Sequence, residues 1–283
     1  VLGENHIEVA YNLKGIGLAY ESLGYLNKAA SYYKKSLKII QKTYGDDHFE
    51  TAQLYRFIGS VFLDLNMIDE ATLYINKSFK IVGESKGYNS IEIIDNLNQI
   101  SLLNKEKGNY NKSKNYLLKA LEILEDNDKL NDEFASYTIA NLADIYQSLG
   151  DYRKVEELLK KSLYMFENSL GKDHPTTALA LNSLGIYYVY SELFDKAEIS
   201  LFNALNIMEL NENHNHPNKA IILENISILY DRQEKYEQAM LFSKRALDIN
   251  EEIYGKNHPA TAINYMNMAV GYSQMNKNEK AKS

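Results

Sequence analysis

Five histidines recur at a fixed interval: His6, His48, His174, His216 and His258 are separated by multiples of 42 residues. Histidine is the commonest metal ligand and the usual proton carrier near neutral pH, so this set first raises the question of a metal centre. Zinc ligands must converge to roughly 2.0–2.2 Å from the ion. Equivalent residues of neighbouring helical repeats are held two helix diameters apart, which rules out convergence of the periodic set. His214 and His216 are close together, but they sit in an Asn-rich loop without carboxylate or thiolate support and read as loop structure. No metal and no cofactor is expected.

Other chemistry is equally thinly provided for. The sequence contains no Gly-x-x-x-x-Gly-Lys phosphate loop, no Gly-x-Ser-x-Gly elbow and no His-Glu-x-x-His zinc motif. Nothing nominates a catalytic serine–histidine pair, so the chain is read as a non-enzyme. Asn76, Asn111 and Asn225 match the glycosylation sequon, as chance allows in an Asn-rich chain. There is no cysteine, which removes disulfides and zinc-thiolate sites and fits a reducing, cytoplasmic setting. A net charge of −7 and the absence of a dense Lys/Arg cluster argue against nucleic acid. No apolar run approaches the roughly 18 residues of a membrane span. The chain opens on Val1 instead of methionine, so it is expected to be an excerpt.

The elements that carry these residues follow the same 42-residue period without insertion or deletion, Ser90 and Asp132 filling the two places without histidine. One column reads Gly17, Gly59, Ser101, Ala143, Gly185, Ser227 and Ala269, small throughout. Three residues on, Tyr20, Phe62, Asn104, Tyr146, Tyr188, Tyr230 and Tyr272 are aromatic with one exception. A second small column is Ala29, Ala71, Ser113, Val155, Ala197, Ala239 and Ala281. Within one period Leu181, Leu184 and Tyr188 share a helical face, and Ala197, Leu201, Ala204, Leu205 and Met208 make the matching stripe after a turn. Each period is therefore an antiparallel helix pair that cannot bury its apolar stripe alone and must stack on its neighbours.

The pairs are expected near 7–43, 49–84, 91–126, 133–169, 175–211 and 217–253, in repeats 7–48, 49–90, 91–132, 133–174, 175–216, 217–258 and a truncated 259–283. The seventh is expected to stop just inside its second helix. Gly24, Gly108 and Gly150 mark the tight turns within pairs; Gly171 and Gly255 end second helices, and Pro175, Pro217 and Pro259 open first helices.

The order small, aromatic, Gly turn, Ala resembles the tetratricopeptide repeat, most clearly at Leu184-Gly185-Ile186-Tyr187-Tyr188 followed by Phe194-Asp195-Lys196-Ala197. The usual unit of that family has about 34 residues. The longer period, Gly171-Lys172-Asp173-His174-Pro175 and the run Ala180 to Gly185 look like the kinesin light chain variety. Armadillo and HEAT repeats have a similar length, but the residue order favours the tetratricopeptide type. The third and fourth copies depart most: neither has His-Pro, and Asn104 replaces the aromatic. The resemblance implies an all-α fold, a right-handed α-solenoid superhelix of about six and a half helix pairs forming a single domain over 1–283.

It also implies that the first helix of each pair lines a concave groove. The two positions before the Leu, Ile or Met that precedes the small column should point there. They supply Lys14, Arg56, Asn98, Gln99, Asn141, Asn182, Asn225 and Asn267. A side-chain amide offers both donor and acceptor, so a row of them could pair with the backbone of an extended peptide. Lys14 and Arg56 would take a carboxylate, phosphate or acidic side chain. The expected role is that of a protein- or peptide-binding scaffold or adaptor. The alternative is a sensory or regulatory arm of a larger protein whose activity lies elsewhere.

Overall fold

The computed structural model describes residues 6–130, 133–211, 216–256 and 258–282. Asp132 and His214, both weighed above, lie outside the described residues. Among those described there are α-helices and one 3-10 turn, and no strand: α1 Ile7–Ser22, α2 Leu26–Tyr44, α3 Phe49–Asp64, α4 Ile68–Lys86, α5 Ile94–Glu106, α6 Tyr110–Asp126, α7 Glu133–Ser148, α8 Tyr152–Ser169, α9 Pro175–Tyr190, α10 Phe194–Asn211, α11 Pro217–Arg232, α12 Tyr236–Tyr254 and α13 Pro259–Lys282. This is an all-α repeat solenoid. The chain forms two compact units, Val1–Leu158 and Leu159–Ser283, with the division falling inside α8.

In the first unit α1 packs on α2, α3 on α4 and α5 on α6; in the second, α9 packs on α10 and α11 on α12. The small column faces the second helix of its own pair. A Cβ on Gly17 would fall 2.5 Å from the Tyr33 ring, one on Gly59 2.6 Å from Ile75, and one on Gly185 2.6 Å from Leu201. The partner always stands 16 residues on, so the period encodes a fit between a missing side chain and a large one. Tyr33, Ile75 and Leu201 are fully buried, each stabilising the pair by about 1.5–3 kcal/mol. Hydroxyls add a second tie: Ser36 Oγ donates to Ala10 O at 2.7 Å and Ser78 Oγ to Ala52 O at 2.8 Å.

The periodic histidines are helix caps. His6, His48, His174, His216 and His258 each accept through Nδ1 the backbone N–H two residues on, at 3.1–3.3 Å. Each cap satisfies one of the four orphan donors that open a helix. The His48 and His258 rings also stack on Tyr44 and Tyr254, centroids 4.6 and 4.3 Å apart. The loop is closed by threonines: Thr51, Thr177 and Thr261 donate to the carbonyls of Gly45, Gly171 and Gly255 at 2.6–2.8 Å. Where the histidine is missing the helix start changes. Ser90 makes no capping bond, its buried Oγ has no partner, and the third repeat enters through the 3-10 turn Ile91–Ile93 before α5 begins.

One boundary differs from the sequence reading. The seventh repeat was expected to turn and begin a second helix, but α13 runs unbroken from Pro259 to Lys282. Asn276 occupies the column of Gly24, Gly108 and Gly150. A helix adds one hydrogen bond per residue once nucleated, and here it passes through the turn position.

Candidate functional site

Because the small column of each first helix faces its own second helix, the opposite side of that helix is free of the pair. In the second unit α9 and α11 lie side by side, and in the first unit α5 contacts both α3 and α7. The predicted residues fall in two columns here. In the column of Lys14, Arg56, Asn98, Asn182 and Glu224, the last four enter the seam to the next first helix. The column of Gln99, Asn141, Asn225 and Asn267 lies nearer the middle of the free side, and Gln99 and Asn225 reach back to the preceding helix.

In the first unit the seams are ionic. Arg56 pairs with Asp95 at 3.2 Å, and Lys105 with Asp144 at 2.5 Å. Both pairs are partly exposed and contribute about 0–1 kcal/mol each. Arg56 also stacks its guanidinium on Phe57 at 4.5 Å, and half-buried Lys14 stands 5.4 Å from the Tyr11 ring centroid. Burial raises the Glu21 carboxyl, while the Tyr33 hydroxyl that donates to it and the charge of Arg56 pull the other way.

The amides are less open than an unobstructed ladder would be. Asn98 and Gln99 are buried: Asn98 Nδ2 donates to Thr138 Oγ1 at 3.0 Å and Gln99 Nε2 to Arg56 O at 3.1 Å, while both side-chain carbonyls are sealed without a partner. Asn182 is buried as well and accepts from half-buried Asn225 across 2.9 Å, so these two pair with each other. Asn141 is half-buried and Asn267 is exposed.

What the sequence reading missed lies three residues before and four after the seam column. In the first unit Tyr11, Leu18 and Tyr137 are exposed there; in the second, Ile221, Ile263 and Val270. The signal was available as apolar residues at i and i+7 on the helix side that pairing does not use. The first unit also holds a cleft of about 380 Å³ whose walls include Phe49, Gln53, Arg56, Ile91, Asp95 and Phe134. Among the described residues no group of three or more His, Asp or Glu side chains is placed to hold a metal ion, and no helix is long and apolar enough to cross a membrane.

The tetratricopeptide repeat family matches residues 6–84, 133–201 and 192–252, and a second form of the same repeat matches 94–127. The chain belongs to the tetratricopeptide repeat family. No curated protein sequence matches it. Among solved structures, this tetratricopeptide protein is similar to the Rap conjugation gene regulator of plasmid pLS20 in complex with a Phr peptide, at 14% identity and TM-score 0.69 over 97% of this chain and 75% of that one. It is similar to kinesin light chain-like repeats from Podospora anserina at 13% identity and TM-score 0.55, over 72% of this chain and 97% of that one. A signal transduction ATPase with a tetratricopeptide repeat sensor from Pyrococcus horikoshii aligns at 20% identity and TM-score 0.57, over 93% of this chain and 38% of that one. At these identities the likeness is one of fold.

Proposed function

We propose that this tetratricopeptide protein is a non-enzymatic scaffold that binds an extended segment of another protein along the free side of its first helices. The observation that carries the reading is the set of apolar side chains left in solvent on that side, Tyr11, Leu18 and Tyr137 in one unit and Ile221, Ile263 and Val270 in the other. They stand at positions three before and four after the seam column, on the side of the first helix turned away from its small column. The Rap neighbour held a peptide when solved, which agrees with this use of the fold. Asn141, Asn225 and Asn267 are the amides best placed to meet a backbone; Asn182 holds Asn225, while Asn98 and Gln99 are engaged within the seams. An acidic group on the partner would be met by Lys14, and by Arg56 in exchange for Asp95. That 1–283 works as one solenoid, and in the cytoplasm, is part of the same proposal.

The test is selection from a random displayed peptide library, followed by affinity measurement on the enriched sequences. Replacing Tyr137 and Ile221 by Ser, or Asn141, Asn182 and Asn225 together by Ala, should weaken the selected peptides at least about tenfold, the effect of one lost interaction of 1.4 kcal/mol. Unchanged affinity in folded variants would remove these columns from the function. The second reading, a sensory arm of a larger protein, is favoured by the repeat sensor of the Pyrococcus horikoshii ATPase. It predicts that the same peptides change the activity of a domain joined to this one.

A further inference from the structure

The sixth repeat breaks the period in a buried place. The column Ile40, Val82, Leu124, Phe166 and Met208 is apolar and buried in five repeats, and its sixth member is Asn250, equally buried. Its amide does not pair with a neighbouring backbone group. Asn250 Nδ2 donates to Glu224 Oε1 at 3.1 Å and to Asn264 Oδ1 at 2.6 Å, and Asn264 Nδ2 donates to the same Glu224 oxygen at 2.8 Å. Two buried side chains, one from α12 and one from α13, thus hold a single carboxylate of α11 in one orientation. Burying polar groups where apolar ones pack costs stability unless they are satisfied, and this network satisfies its members through Glu224.

The carboxylate itself is left incomplete. Both amides converge on Oε1, which has two lone pairs. Oε2 has no hydrogen bond and no cation among the described residues, yet it is not sealed as the orphaned oxygens of Asn98 and Gln99 are. The surroundings provide no counter-charge: α9 and the stretch 259–275 of α13 contain no Asp, Glu, Lys or Arg. Glu224 lies on the α11 side that carries Ile221 three residues before it and Ile228 four after it, and Met266 on α13 is 66% exposed. Burial raises its pKa, with the Asn264 and Asn250 amides opposing, so the site pays for holding a charge that nothing in the described chain neutralises.

The complement is a long side chain with an apolar stem and a cationic tip, whose methylenes cover aliphatic surface while the head finds the charge. A guanidinium fork needs both carboxylate oxygens, and Oε1 is already taken. An ammonium needs only one. We infer that Glu224, oriented by Asn250 and Asn264, is the specificity-determining subsite of the second unit and receives a lysine ammonium of the bound segment, with Ile221, Ile228 and Met266 flanking its stem. This rests on the peptide-binding reading above and adds to it the chemistry of one partner residue.

Two mixtures of short, N-acetylated, fluorescein-labelled peptides test it, random over Leu, Ile, Ser and Asn except for a central Lys or a central norleucine, with a central-Arg mixture alongside. Fluorescence anisotropy against the whole chain should show the Lys mixture binding about tenfold or more tighter than norleucine, as one charge-assisted hydrogen bond supplies, and no weaker than Arg. In the E224Q protein, which keeps an oxygen for both asparagine amides and should melt no lower than wild type, the Lys and norleucine mixtures should bind alike. Equal binding of Lys and norleucine by wild type, a Lys preference that persists in E224Q, or tighter binding of Arg than Lys overturns the subsite and leaves peptide binding standing. If no mixture binds wild type, both readings fall.

Discussion

Two glycines of the first helices should respond to the same substitution with opposite sign. Gly185 faces Leu201, and a Cβ there would sit 2.6 Å from Leu201 Cγ and 2.7 Å from Cδ2. Leu201 is fully buried and has no open side to move into. Such overpacking costs about 1–3 kcal/mol, offset by the roughly 0.5–1 kcal/mol that a helix interior gains when Gly becomes Ala. Gly185→Ala should therefore destabilise by about 1 kcal/mol. Gly15 is exposed in the middle of α1, and its added Cβ would meet nothing within 4 Å, so Gly15→Ala should stabilise by about 0.5–1 kcal/mol. A repeat array opens locally as well as globally, so urea titration by circular dichroism should be paired with hydrogen exchange of the α9 and α10 amides. In a Leu201→Ala background the clash partner is gone, and Gly185→Ala should become stabilising like Gly15→Ala. If Gly185→Ala stabilised the wild-type chain as much as Gly15→Ala does, the fit between the small column and its partner 16 residues on would not be what holds the pairs together.

Two further outcomes follow from local structure. Glu192 holds the turn position at φ 58° where Gly150 holds it at 77°; a left-handed residue with a Cβ is strained by roughly 1–2 kcal/mol, part of which glycine returns as unfolded-chain entropy. Glu192→Gly should thus raise stability by about 0.5–1 kcal/mol, while Gly150→Ala lowers it, both read from urea midpoints. His258 accepts the Ala260 N–H through a neutral Nδ1, and burial lowers its pKa below the usual histidine value. Its contribution is complete above the unfolded pKa of about 6.5 and is lost as pH falls through the lowered folded value. His258→Asn, a cap that does not titrate there, should flatten the acid side of the melting-temperature profile, and an unchanged profile would remove this histidine from the acid response.

The fold was legible because stacking needs the same thing in every repeat. A glycine or serine at 17, 59, 101, 185 and 227 is dictated by the helix that must approach it, so the column repeats and the eye finds it. Gly and Pro mark the helix ends in the sequence, and the periodic histidines stand at the right positions, but they are read there only as unable to converge on a metal. The missing step was chemical: an imidazole Nδ1 at the residue before a helix can accept the N–H two residues on, as aspartate or serine does. The candidate binding residues were legible only as columns. Sequence spacing could assign Asn98 and Asn182 to the free side of the first helix. It could not show that the next helix stands close enough to bury Asn98 against Thr138, or that Asn225 would find Asn182 first.

That difference follows from what repeats can and cannot vary. A column in contact with its own second helix is fixed by packing and carries no message about a partner. The seam column, which runs Lys14, Arg56, Asn98, Ala140, Asn182, Glu224 and Met266, changes charge and size at nearly every step, so stacking does not determine it. Its change at Glu224 is matched by an amide at Asn250, in a column that packing otherwise keeps apolar. A lone polar residue in that column would be a defect, but two of them bound to one oxygen of a third form a support. At position 250 stacking alone would have been served as well by the apolar residues found in that column in the other repeats. On the proposed peptide-binding reading, the departures from the 42-residue period that occur together in space, more than the period itself, are where this chain would distinguish one partner from another.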